Sequence, residues 1–191
     1  MRIRFVYSYL LILFLATTFV GNAQVTFNKE KIDSVLETFD HSTRLPGYSL
    51  CIVQKGEVIY NAQRGKASIG ENMKITPSSQ FNIGSVTKQF TGAAILLLEE
   101  AGKLNLSDDI HKYIPELPDY GYPITIQQLL HHTSGIRDHL ELATLISEDK
   151  DELNNFSEML EWQKKYPQLN AAPGATFAYS HTGYMMLAII I

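Results

Sequence analysis

Phe81-Asn82-Ile83-Gly84-Ser85-Val86-Thr87-Lys88-Gln89-Phe90-Thr91 is the stretch whose reading decides this chain. Asn82 and Gly84 favour a loop, and after it Phe90, Ala93, Ala94, Leu97, Leu98 and Ala101 recur at helical spacing until Gly102 stops the run. Ser85 and Lys88 therefore stand at the start of a long, mostly apolar helix, three residues apart and on one face. A hydroxyl and an amine so placed can meet. Positive charge is disfavoured at a helix N-terminus and by burial, which suits Lys88 to accepting a proton. The Ser85 N–H has no partner inside the helix and can donate to a developing oxyanion. Four residues thus supply a nucleophile, a base and half an oxyanion hole.

The spacing alone is not specific. Ser147-Glu148-Asp149-Lys150 repeats it in an acidic, solvated stretch where the lysine stays charged, and is read as coincidence. The other reading of Ser85 is a helix cap with an exposed lysine one turn on.

Composition narrows the classes. The chain has 191 residues, 45% hydrophobic and 19% charged, which is the balance of a folded domain. Lys and Arg number 16 against 20 Asp and Glu, a net charge of −4, so nothing favours a nucleic-acid partner. One cysteine, Cys51, excludes an internal disulfide and a zinc site built on several thiolates. It lies in the apolar run Tyr48-Ser49-Leu50-Cys51-Ile52-Val53 and is expected to be a buried, inert thiol.

Met1-Arg2-Ile3-Arg4 is basic, Phe5 to Val20 is mostly apolar, and Gly21-Asn22-Ala23 puts small residues where a signal peptidase reads. As a helix the apolar run spans about 24 Å, short of a hydrocarbon core of about 30 Å. Residues 1–23 are therefore expected to be a cleaved signal peptide, with an inner-membrane anchor as the second choice. The mature protein is expected in the periplasm or secreted. No cysteine follows the run, which excludes lipoprotein attachment.

Residues 24–191 read as one mixed α/β (α+β) unit with no dividing linker. Ile32, Val35, Leu36 and Phe39 predict an amphipathic helix from Lys29 to about Asp40. Tyr48–Gln54 and Val58–Arg64 predict a hairpin turning at Lys55-Gly56-Glu57, and residues 65–80 a loop. Helical fragments are expected at Asp108–Tyr113, Thr125–His131, Leu140–Ile146 and Ser157–Lys165, and a helix at Thr182–Ile191. That last helix stops on Ile189-Ile190-Ile191 with no cap, and a lone hairpin wants further strands. The chain is therefore expected to be the N-terminal portion of a longer domain, inactive and unstable by itself.

The stretch around Ser85, continued by Leu98-Glu99-Glu100-Ala101-Gly102-Lys103-Leu104-Asn105-Leu106-Ser107-Asp108-Asp109, closely resembles the penicillin-recognising serine hydrolases: class C β-lactamases, D,D-peptidases and related esterases. Ile124-Thr125-Ile126-Gln127-Gln128-Leu129-Leu130-His131-His132-Thr133-Ser134-Gly135-Ile136 adds to the resemblance, which runs from about Phe27 to the last residue. It implies a β-lactamase/transpeptidase-like fold, an antiparallel sheet with a helical region. It also implies hydrolysis of an ester or amide, small or peptide, through an acyl-enzyme at Ser85, with no cofactor and no metal.

The family's second motif is Tyr-x-Asn, and Tyr179-Ser180-His181 stands at its place. By resemblance Tyr179 helps move the proton between Ser85, Lys88 and the leaving group, and position 181 contacts substrate. His181 departs from the family's Asn, since an imidazole cannot offer amide donor and acceptor together. That puts β-lactam turnover in question. His181-Thr182-Gly183 also spells the family's third motif, but it overlaps the second and begins a helix. The third motif is therefore expected beyond Ile191. His131 and His132 read as helix-end charge or loop hydrogen bonds, Ser134 as part of a structural turn, and Trp162 and Tyr166 as local core or cleft entrance. The rival from another class is a binding protein: a penicillin-binding sensor that acylates without turnover, or a peptidoglycan-binding relative.

Overall fold

Lys55 and Gly56 both take positive φ, +52° and +83°, and close a two-residue hairpin between strands β1 (Tyr48–Gln54) and β2 (Glu57–Arg64). The computed structural model describes residues 27–39, 46–145 and 155–191. The predicted leader and the Ser147–Lys150 tetrad lie outside them. The chain divides into two compact units, Met1–Phe81 and Asn82–Ile191, at a boundary with no shift in composition to announce it.

In the first unit, helix α1 (Lys29–Glu37) is capped by Asn28, whose side chain accepts from the Lys31 N–H. Leu36 packs with Tyr60 and Ala62, and the register that pairs Leu50 with Ala62 and Ile52 with Tyr60 puts all four strand residues on one face. Cys51, paired with Asn61, falls on the other face and is exposed, not buried. The period of two along a strand overrides its apolar neighbours. The stretch read as a plain loop carries a second small antiparallel ladder, β3 (Lys66–Ser68) with β4 (Met73–Lys74). Strands this short leave no alternating pattern to read.

The second unit carries the chemistry. A 3-10 turn, Gly84–Thr87, leads into helix α2 (Lys88–Glu100). After a 3-10 turn at Ile110–Lys112 come α3 (Ile126–Leu130), α4 (His139–Leu145), α5 (Phe156–Lys165) and α6 (His181–Ile190). Each predicted fragment is therefore helical, with ends shifted by a residue or two. Thr125 and Gln128 form a reciprocal capping box at α3, and Asn155 and Ser180 cap α5 and α6.

Ile95 of α2, Leu129 of α3, Met159 of α5 and Met186 and Leu187 of α6 are all but inaccessible and form the centre of one core. Trp162 packs with Ala143 and Tyr166 in a satellite cluster between α4 and α5, the local-core reading of those residues. Among the described residues no helix is long and apolar enough to cross a membrane.

Candidate active site

Gly84 turns the chain into the site. Its φ of +52° lies in the left-handed region, and its N–H donates to Asn82 Oδ1 at 2.8 Å. Ser85 thereby stands on a 3-10 turn, not on the regular helix its spacing suggested. In a 3-10 turn residues i and i+3 eclipse, which brings Lys88 over Ser85 more directly than an α-turn does. Lys88 Nζ lies 3.5 Å from Ser85 Oγ. The Ser85 N–H, at the start of the turn, has no acceptor within it.

Tyr179 arrives from the far end of the unit, just before the Ser180 cap of α6. Its hydroxyl donates to Ser85 Oγ at 2.8 Å. Lys88 Nζ sits 5.0 Å from the centroid of the Tyr179 ring and 5.6 Å from that of Tyr184. The Lys88 ammonium, and after it the Ser85 hydroxyl, hold the Tyr179 phenol below the usual tyrosine range. Burial pushes Tyr184 the other way. Ser85, Lys88 and Tyr179 are thus brought together from opposite ends of the unit, and Ser85 is open to solvent.

His181, the fourth predicted site residue, opens α6. Its ring meets Tyr179 edge-on with centroids 5.2 Å apart, and its side chain is 41% exposed. Nδ1 approaches Asp138 Oδ2 to 3.5 Å without hydrogen-bond geometry. It stands beside the Tyr179 phenol rather than on Ser85. Thr182 and Gly183 are buried in the first turn of α6, so the His-Thr-Gly spelled there is a helix start and not a strand lining the site.

Two residues gain weight that the sequence did not give them. Asp138 is 4% exposed, and its carboxylate accepts four backbone N–H groups. Those of Leu140 and Glu141 belong to α4, and those of His181 and Thr182 to α6. His132 packs against the face of Tyr179, with ring centroids 4.6 Å apart. Its sequence reading as a loop hydrogen-bonder holds, since Nδ1 accepts from the Ser180 N–H, but the stacking had no signal in spacing. Ser134 is buried in the turn and its Oγ accepts from the Ile136 N–H.

The profile of the family described as Beta-lactamase matches residues 32–191. The chain belongs to the Beta-lactamase family. It is 33% identical over 168 residues to Protein flp of Staphylococcus aureus (strain N315), a match covering 86% of this chain and 33% of that protein. The octameric penicillin-binding protein homologue from Pyrococcus abyssi superposes with a TM-score of 0.71 at 28% identity, over 86% of this chain and 38% of that one. The D-amino acid amidase from Ochrobactrum anthropi SV3 does so with a TM-score of 0.60 at 29% identity, over 75% and 39%. The fold is the β-lactamase/transpeptidase-like one expected from the resemblance. The chain spans about a third to two-fifths of the length of the curated relatives it matches.

Proposed function

We propose that this chain belongs to an exported serine hydrolase that cleaves an ester or amide through an acyl-enzyme at Ser85. The observation that carries the reading is the convergence of Tyr179 and Lys88 on one solvent-open serine hydroxyl. Family membership supports hydrolysis, and an amidase among the relatives of known structure supports an amide or ester as the bond. The export signal read at residues 1–23 supports work in the periplasm or outside the cell.

In this reading Ser85 Oγ bonds to the substrate carbonyl carbon, and its proton passes to the Tyr179–Lys88 pair. A neighbouring ammonium favours the phenolate form of Tyr179, a base that takes the Ser85 proton and whose conjugate phenol readily gives it back. The Ser85 N–H donates to the tetrahedral oxyanion. As the bond to the leaving group breaks, the pair returns the proton to that group. Water then attacks the Ser85 ester by the same route and restores the hydroxyl. His181 lines the approach beside Tyr179 and contacts the substrate with a single ring N–H, where the family's amide offers donor and acceptor.

The test is labelling of the full gene product with a fluorophosphonate and with a fluorescent penicillin, followed by peptide mapping. Labelling at Ser85 that disappears in Ser85→Ala supports the reading, together with turnover of p-nitrophenyl esters or a D-amino acid amide. A label that survives the substitution or maps to Ser134 overturns it. A penicillin adduct that accumulates with no turnover of any substrate would mark a sensor and not a hydrolase.

A further inference from the structure

His132 occupies the left-handed region at φ +57°, where glycine is at ease and a side chain is uncommon. An imidazole is nevertheless kept there. Its ring lies among those of Phe177, Tyr179 and Tyr184, with centroid distances of 5.6, 4.6 and 5.0 Å. The residue also holds the chain on both sides of Tyr179. Its carbonyl accepts from the Ala178 N–H at 2.8 Å, and its Nδ1 accepts from the Ser180 N–H at 3.0 Å. An unusual backbone conformation that persists beside a reactive group points to a role there.

We infer that His132 is the positioning residue for Tyr179, holding the phenol on Ser85 Oγ through two backbone hydrogen bonds and one ring stack. The inference rests on the roles proposed above for Ser85 and Tyr179. It needs a neutral imidazole with its proton on Nε2, because only then can Nδ1 accept from Ser180. Burial first, and then the electrostatic influence of Lys88 and the neighbouring His181 ring, push the imidazole below the usual histidine range, while the Asp138 carboxylate opposes them weakly. The ring therefore stays neutral through neutrality. When it does take a proton, Nδ1 becomes a donor facing another donor, and a second cation stands near Lys88. The Tyr179 segment then loses one of its two ties, and acylation falls.

The experiment follows the rate of Ser85 labelling by a fluorophosphonate against pH in the full gene product, for wild type, His132→Ala and His132→Phe. His132→Ala is expected to slow labelling about tenfold or more, because small misplacements of a proton-transfer group are costly, with little change in probe half-saturation. His132→Phe restores a ring without a titrating group and is expected to recover part of the plateau. Wild type is expected to show an extra break on its acid limb, below the usual histidine range, that His132→Phe lacks. A ¹⁵N spectrum of wild type should show an unprotonated Nδ1 at His132.

A wild-type rate in His132→Ala, an acid break that persists in His132→Phe, or a protonated Nδ1 at neutral pH would each overturn the inference. A wild type that never labels at Ser85 would sink the proposed function instead, and the ¹⁵N spectrum would still decide how His132 is held.

Discussion

The Tyr179 hydroxyl donates to Ser85 Oγ at 2.8 Å across 94 positions of sequence, closer than the 3.5 Å that separates Oγ from Lys88 Nζ three residues away. Ser85 and Lys88 are neighbours by local geometry, whereas Tyr179 reaches them only because α6 packs on α2 and α3. Tyr179→Phe keeps the ring, the stack on His132 and the contact with Lys88, and removes only the hydroxyl. Acylation by a p-nitrophenyl ester is expected to fall by about 10²–10⁴, the usual range for loss of a proton-transfer group, with KM little changed. Stopped-flow kinetics would check it. A variant within threefold of wild type would show that the hydroxyl is only packing.

Lys88→Arg separates charge from proton transfer. The guanidinium keeps a cation beside Tyr179 but does not give up its proton near neutrality. If the lysine amine shares the Ser85 proton, acylation is expected to fall by about 10² or more. If the cation only holds the phenol acidic, Lys88→Arg would keep most of the rate and Lys88→Met would lose it. Measuring the two side by side decides which half of the pair carries the proton.

Ser85 and Lys88 were legible in the sequence because their relation is local: three residues, one turn, one face. The hairpin was legible for the same reason, from Lys55-Gly56-Glu57 between two β-rich runs. What could not be read was set by packing between distant segments. Cys51 sits in an apolar run, yet the pairing of Leu50 with Ala62 turns it to the open face. Nothing around His132 announces a stack with Tyr179, and nothing around Asp138 announces that its carboxylate serves the starts of two helices. Tyr179 was placed by resemblance alone, since spacing along the chain says nothing about a contact so remote.

Gly135 and Gly121 share a φ of +75° but differ in surroundings. A Cβ at Gly135 would lie 2.0 Å from the Ala171 carbonyl oxygen, whereas one at Gly121 meets nothing within 4 Å. Gly121→Ala is expected to cost about 1 kcal/mol, from the left-handed backbone alone. Gly135→Ala adds a backbone clash and should cost more than about 3 kcal/mol. It would also disturb the turn that ties residue 170 to Gly135, where the Asn170 N–H donates to the Gly135 carbonyl at 2.8 Å. Urea denaturation of both variants checks it; equal midpoints would mean the turn yields freely.

Acid sensitivity has a local source at Asp108. Lys112 at 2.8 Å, the Tyr113 hydroxyl at 2.5 Å and the Asn105 N–H at 2.9 Å all favour its charged form and hold it at about 2. An unfolded aspartate titrates near about 3.9, so the unfolded chain takes up the proton first as pH falls. The stabilisation is therefore complete above about pH 4 and is lost as pH drops toward about 2. Asp108→Asn is expected to lower the melting temperature at neutral pH and to flatten its dependence on pH within that window. An unchanged slope between pH 4 and 2 would assign the acid sensitivity to other carboxylates.

Asp138 sets where α6 begins, and with it where Tyr179 stands. One carboxylate oxygen accepts from the Leu140 and Glu141 N–H groups at 3.1 and 3.3 Å, and the other accepts from those of His181 and Thr182. Both helix starts thus direct otherwise unpaired donors at one buried charge, the arrangement that helix dipoles favour. The His139 N–H adds a further tie between the same two elements, donating to Thr182 Oγ1 at 2.9 Å. Asp138→Ala would take the acceptor from four backbone donors, the Thr182 N–H among them fully buried, and should cost about 3 kcal/mol or more. Asp138→Asn keeps one carbonyl oxygen, so it can serve one helix start but not both, and should cost less. Because His181 and Tyr179 ride on the start of α6, acylation at Ser85 is expected to drop in Asp138→Asn even where the protein remains folded. Thermal melts paired with Ser85 labelling rates separate the two effects. A folded Asp138→Asn that labels at the wild-type rate would show that Ser180 alone fixes the start of α6, and that Asp138 stabilises the fold without placing the site.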